Sequence, residues 1–88
     1  MNGNRPMKVK NLKIIDHIGT LYGTIDGNSI WEIDKVAYGI LNMCDGTKSI
    51  DDIIQIIAER TNLSPEDLRS TILDILKEME SLKFIIYV

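Results

Sequence analysis

The chain is poor in the residues from which catalytic and metal sites are built. Among its 88 residues it has one cysteine, Cys44, and one histidine, His17. One cysteine excludes an intrachain disulfide, and with a single histidine it forms neither a metal-ligand set nor a nucleophile–base pair. The glycines lie too far apart for a phosphate-binding loop. The sequence therefore predicts a protein that is not an enzyme and binds no cofactor or metal.

Long apolar runs are also missing. No stretch approaches the roughly 20 residues of a membrane span, and residues 1–6 lack the apolar segment of a signal peptide. Without a disulfide, these absences favour a soluble cytoplasmic protein. Hydrophobic residues make up 44% of the chain and aromatic residues only 6%, so we expect one small domain with a core of mainly isoleucine and leucine.

Charge is distributed unevenly along the sequence. Residues 1–13 hold four basic residues and no acid, whereas residues 14–88 hold six bases against thirteen acids, a balance of −7. An acidic body suits a neutral or basic peptide better than nucleic acid, although such charges also simply keep a small domain soluble. We expect a flexible basic arm over residues 1–10 and a single domain over residues 11–88.

The first third of the chain reads as a three-stranded antiparallel sheet. Three short extended runs, residues 12–18, 21–25 and 29–33, are rich in β-favouring residues. Asp26-Gly27 between the second and third runs predicts a tight hairpin turn. Trp31 shares a strand face with the apolar Ile33, which favours a place in the core over a role as a peptide anchor.

Three helices are predicted after the strands. Asp34 is suited to cap the first, which Asp45-Gly46 would end. Ser49 with Asp52 predicts a capping box for the second helix. Ser64-Pro65 predicts the start of the third and longest, over about residues 65–82.

Several single residues have a structural interpretation that we prefer to a chemical one. Cys44 falls on the apolar face of the first helix, which favours core packing, and His17 is expected on a strand surface. Asp51 and Asp52 lie in a first helical turn, where they stabilise the helix dipole. Gly39 costs about 1 kcal/mol relative to alanine inside a helix and is expected to mark close packing.

The chain ends in five apolar residues, 84–88, which read as a strand. That strand is expected to pair either with the three-stranded sheet or with another subunit, which would give a homodimer. The predicted fold class is therefore α+β, with three strands, three helices and a short C-terminal strand.

An ordered set of residues in this plan resembles the PqqD family, the small proteins of pyrroloquinoline quinone biosynthesis and their relatives. The family's Leu-Asn, Ala, Asp-Gly and Ser/Thr cap are matched here by Ile33-Asp34, Ala37, Asp45-Gly46 and Ser49. One departure follows the third helix, where Lys83 occupies a position that is glycine in the family and leaves the turn geometry open.

The resemblance implies a winged-helix-like fold and a specific role. Such proteins hold the leader of a ribosomally made precursor peptide and present it to a modifying enzyme, often a radical SAM protein. The leader typically adds as an extended strand beside the third strand, over a groove walled by the third helix. Carried onto this chain, the peptide-binding residues would be Ser29, Ile30, Trp31, Glu32, Ile33, Leu68, Thr71, Ile72 and Ile75.

The residues themselves support this site but leave alternatives open. A sheet of three strands has an edge that can accept a guest strand, and the third helix has apolar residues beyond one stripe, which alternatively pack on the C-terminal strand. A winged-helix DNA-binding regulator is the second candidate. Its recognition helix would carry five acids against Arg69 and Lys77, the wrong sign for phosphate contacts. A plain dimerisation module is the third.

Overall fold

The computed structural model describes residues 3–88, which form five strands and three helices. In chain order these are β1 (Pro6–Lys8), β2 (Lys13–His17), β3 (Thr20–Thr24), β4 (Trp31–Ile33), α1 (Lys35–Asn42), α2 (Ile50–Thr61), α3 (Pro65–Ser81) and β5 (Ile85–Tyr87). The predicted α+β order of three antiparallel strands, three helices and a terminal strand is confirmed.

The strands form two separate sheets. One is the meander β2-β3-β4, and the other consists of β1 and β5 paired antiparallel, with Met7 opposite Ile86. The C-terminal strand therefore pairs within the chain, and its partner is β1 rather than the meander. Beyond the strand ends, Arg5 and Val88 exchange backbone hydrogen bonds of 3.2 and 2.9 Å.

The prediction of a flexible arm over residues 1–10 is wrong for β1. Pro6 is buried, and Lys8 donates its backbone N–H to the Cys44 carbonyl at 2.8 Å. On the same side, Gly46 donates to the Pro6 carbonyl at 3.0 Å, so β1 is bonded both to β5 and to the segment after α1. Met1 and Asn2, the first residues of the predicted arm, lie outside the described residues.

The tight turn of the meander is not where Asp26-Gly27 predicted it. Ile18 and Gly19 form the two-residue turn between β2 and β3, with φ of 54° and 84°, as a type I′ turn requires. Asp26-Gly27 instead lies in a longer loop, where the Asp26 carboxylate accepts from the backbone N–H groups of Asn28 and Ser29. Asp26-Gly27 still makes a turn, but the turn is held by the Asp26 side chain and is not a two-residue hairpin.

The predicted helix starts are confirmed. The Asp34 carboxylate accepts from the Ala37 N–H at 2.7 Å, and Ser49 and Asp52 form both bonds of a capping box. The Ser64 hydroxyl accepts from the Asp67 N–H at 3.1 Å, with proline next in the chain. The predicted end of α1 is wrong, because the helix stops at Asn42, before Asp45-Gly46.

The C-terminal end of α3 is closed by a left-handed residue. Lys83 has φ of 66° and donates its N–H to the Glu80 carbonyl, while Phe84 donates to the Met79 carbonyl at 2.9 Å. These two bonds are those of a Schellman motif. Lys83 thus adopts the conformation that glycine favours, which answers the question raised by its replacement of the family's glycine.

The core lies between the helices and the inner face of the sheets. Its buried members are Ile33, Ile40, Leu41, Cys44, Ile53, Ile54, Ala58, Ile72, Leu76, Met79, Phe84 and Ile85. Cys44 is fully buried as predicted, its Sγ donates to the Ile40 carbonyl, and burial raises its pKa to about 11. Such a thiol is protonated and inert at neutral pH.

The closest glycine contact is at Gly23, not at Gly39. A Cβ on Gly23 would lie 2.8 Å from Ile33 Cδ1 and 2.9 Å from Phe84 Cε2. A Cβ on Gly39 would meet nothing within 4 Å, so the prediction of close packing there is wrong. Gly23 therefore allows Phe84 to pack closely against β3.

Candidate functional site

Strand β4 is an edge strand. It pairs with β3 on one side, with Leu21 opposite Ile33 and Gly23 opposite Trp31. On its other side, no strand of residues 3–88 pairs with it. Backbone N–H and C=O groups on such an edge are free to bind another extended chain.

The register determines which backbone groups of β4 face outward. The two-residue turn of β2 and β3 closes between His17 and Thr20, a hydrogen-bonded pair in this type of hairpin. Bonding directions alternate along an antiparallel strand, so on β3 it is Leu21 and Gly23 that face β4. Trp31 and Ile33 consequently bond to β3, and the N–H and C=O of Glu32 face away from the sheet.

A groove runs beside this edge, between β4 and the C-terminal half of α3. It consists of two adjoining hollows, with cavity volumes of about 320 and 90 Å³, that share Trp31, Leu82 and Phe84. We call it the β4–α3 groove. Its lining residues are Ile25, Asp26, Ser29, Trp31, Glu32, Ile33, Asp34, Ala37, Ile75, Glu78, Met79, Ser81, Leu82, Lys83 and Phe84.

Trp31 lies at the junction of the two hollows and is 50% exposed. The prediction that it packs in the core is wrong. The space over its cross-strand neighbour Gly23 is filled by the Phe84 ring and by Ile33, so the indole is left at the groove. An amphipathic ring that is half covered and half solvated is typical of a binding anchor.

The structure brings together five of the nine predicted peptide-binding residues. Ser29, Trp31, Glu32, Ile33 and Ile75 line the β4–α3 groove. Ile30 is 54% exposed in the segment leading into β4. Ile72 lies in the core at 2% exposure, and Leu68 and Thr71 line neither hollow. That any of these residues binds peptide stays a prediction.

Most helical residues of the prediction lie nearer the start of α3 than the β4–α3 groove does. The groove residues outside the prediction lie mainly on the last turns of this helix and just after it, namely Glu78, Met79, Leu82 and Phe84. Met79 and Leu82 belong to the recognisable apolar stripe of α3. Helical periodicity identifies such a stripe but does not tell which of its turns lies beside a strand.

The groove is acidic as well as apolar. The smaller hollow is lined by the acids Glu32, Asp34 and Glu78 and by no lysine or arginine, and the larger hollow adds Asp26 and Lys83. Bonds from the Ser29 and Asn28 backbone N–H groups lower the pKa of Asp26, which keeps its carboxylate ionised. The lining therefore favours a neutral or basic ligand.

Other kinds of site find little support in residues 3–88. No group of three histidine, cysteine or acidic side chains in this range could hold a metal ion. No helix in the same range is long and apolar enough to cross a membrane. His17 lies on the exposed strand β2, as predicted.

Comparison with known proteins gives one match. A search of curated proteins found no significant match, and neither did a search of solved structures. The family model of coenzyme PQQ synthesis protein D (PqqD) matches residues 17–85. This range covers most of the chain, from the end of β2 to the start of β5. The chain therefore belongs to the PqqD family.

Proposed function

We propose that this protein is a non-catalytic peptide-binding module of the cytoplasm. It holds the leader of a ribosomally made precursor peptide and presents the remainder to a modifying enzyme, such as a radical SAM protein. The family membership supports a role in the synthesis of a cofactor or a similar product. The observation that carries the proposal is the unpaired edge of β4 beside the apolar β4–α3 groove.

The leader binds by adding a strand to β4. Its backbone pairs with the outward N–H and C=O of Glu32, and alternate side chains enter the groove. Trp31 and Ile75 provide apolar surface there, and Phe84 forms part of the floor. Backbone bonds supply affinity for any extended chain, while the groove selects among side chains.

The alternatives explain fewer of these features. For DNA binding, α3 would carry five acids against two bases into a polyanion. For dimerisation through the C-terminal strand, one edge of β5 is already occupied by β1, and its first residue Ile85 is buried within the chain. Neither alternative uses the half-exposed tryptophan.

A matched pair of proline variants tests the edge. Ile30→Pro removes an N–H that, by the alternation along β4, faces the guest strand. Ile14→Pro is the control, because the same alternation makes the N–H of Ile14 face outward on the opposite edge of the sheet. Titration calorimetry with synthetic peptides encoded near the gene measures affinity, and circular dichroism checks folding.

We expect wild type and Ile14→Pro to bind one such peptide alike and Ile30→Pro to bind it at least about tenfold more weakly, since an edge donor is lost. Equal affinities in folded variants would place the guest elsewhere. Salt-sensitive binding to duplex DNA, with no binding to any peptide, would overturn the proposal in favour of the regulator.

A further inference from the structure

The side chain of Glu32 is an unpaired charge at the open edge. It is exposed, and along β4 it points to the face opposite that of Trp31 and Ile33. Its cross-strand neighbour Tyr22 and the next residue across the sheet, Ile15, carry no charge at neutral pH. The ion pairs found among residues 3–88 use other acids, Asp45 and Asp51.

A guest strand on β4 places one side chain directly across from Glu32. Cross-strand partners lie on the same face with Cβ atoms about 5 Å apart, where opposite charges attract and like charges repel. The guest residues before and after it point to the other face, because side chains alternate along a strand. On that face they meet the β4–α3 groove, whose walls include Trp31, Ile75 and Leu82.

We infer that the peptide recognised by this protein contains a lysine or arginine between two large apolar residues, with the basic residue opposite Glu32. This inference rests on the proposed function and adds the chemical class of the ligand. The three-residue pattern is the same read in either chain direction, so it holds for a parallel or an antiparallel guest.

The surrounding charge strengthens this selectivity. Asp34 and Glu78 line the same hollow as Glu32, and no base lines it. Lys35 borders Glu32 and Asp34 in a further hollow beside β3, but among residues 3–88 it forms no ion pair with either acid. An acidic guest residue at this position would meet the like charge of Glu32 directly across from it, so the β4 edge discriminates against acidic peptides as well as favouring basic ones.

The test starts from a displayed library of random 12-residue peptides selected on the wild-type protein. The strongest binder is then synthesised with its central basic residue kept, changed to alanine, or changed to glutamate. We expect about fivefold weaker binding with alanine and a larger loss with glutamate, because exposed charge pairs are modest and like charges repel. The preference should shrink at high salt.

A charge-swap variant makes the test specific to Glu32. Glu32→Lys should prefer the glutamate peptide over the lysine peptide. Glu59→Lys makes the same change in net charge on the exposed side of α2, away from the groove, and should keep the wild-type preference. Circular dichroism of both variants checks that they fold.

Three outcomes would count against the inference. Selected peptides without a basic residue, or equal effects of Glu32→Lys and Glu59→Lys, would overturn it and leave strand addition intact. A library that yields no binder would overturn both the inference and the proposed function.

Discussion

Strands β4 and β5 are both three residues long and each pairs with one strand, yet the two strands differ in how deeply their side chains are buried. β5 is paired with β1, its first residue Ile85 is 1% exposed, and β1 is bonded in turn to the segment after α1. β4 likewise has one partner strand, but its Trp31 is 50% exposed and lines the β4–α3 groove. The comparison shows that one short strand is anchored in the core while the other lies beside an open groove.

An open strand edge is a risk for aggregation, and β4 carries features that limit it. The strand is short, its outward-facing residue Glu32 is charged, and α3 runs beside it across the groove. Each of these is a known way to protect an edge. These features disfavour pairing of the edge with a second copy of the protein.

The largest expected effect comes from truncating a buried side chain of β5. Ile85→Ala removes buried apolar atoms and leaves a cavity, so the free energy of unfolding should fall by about 2–5 kcal/mol. Trp31→Ala should lower it by less than about 1 kcal/mol but weaken peptide binding about tenfold or more. Urea denaturation and titration calorimetry measure the two effects. Equal losses of stability in the two variants would show that β4 and β5 contribute equally to the stability of the fold.

Gly23→Ala tests the close packing of Ile33 and Phe84 against the backbone of β3. Its new Cβ would approach Ile33 and the Phe84 ring within about 3 Å, so we expect a loss of about 1–3 kcal/mol from overpacking. Gly39→Ala, in α1, should instead gain about 0.5–1 kcal/mol, because it improves helix propensity and meets no neighbour. A neutral Gly23→Ala in urea denaturation would mean that Phe84 can move aside.

Lys83→Gly sharpens the comparison at the turn that leads from α3 into β5. The left-handed backbone costs a non-glycine residue about 1–2 kcal/mol, part of which is offset by the greater freedom of glycine when unfolded. We expect a net gain of about 0.5–1 kcal/mol in thermal or urea unfolding. Lys83→Ala removes the charge but keeps the strained backbone, so it should give no such gain.

The smallest effect concerns acid stability at Asp45, beside β1. The Thr47 hydroxyl, the Thr47 backbone N–H and Lys48 hold the pKa of Asp45 well below its usual range. A carboxylate with a lowered pKa stabilises the fold above its unfolded pKa of about 3.9, and the contribution is lost as pH falls below that value. Asp45→Asn should therefore lower the urea midpoint slightly at pH 6, and the difference from wild type should narrow by pH 3.

Much of the fold could be predicted because its boundaries carry local chemistry. Asp34, Ser49 and Ser64 each bond the backbone within three residues, so the sequence alone indicates where the helices begin. β1 could not be predicted, since its stability comes from contacts with residues about 80 positions away in the sequence. The turn at Ile18-Gly19 was missed because isoleucine rarely adopts a positive φ.

The candidate site was predictable only in part for a related reason. Alternation along β4 placed Trp31 and Ile33 on one face, but it did not reveal that Phe84 occupies the space over Gly23. Phe84 and Gly23 are far apart in the sequence, so their contact becomes visible only in the folded structure. It decides that Ile33 is buried and Trp31 is left half exposed.

Trp31 is the only tryptophan in the chain, and it lies at the junction of the groove. The protein's intrinsic fluorescence excited near the red edge of indole absorption therefore reports on this one place. A peptide that covers the ring should shift its emission to shorter wavelength and shield it from soluble quenchers. The fluorescence of the unlabelled protein therefore reports whether a peptide occupies the groove.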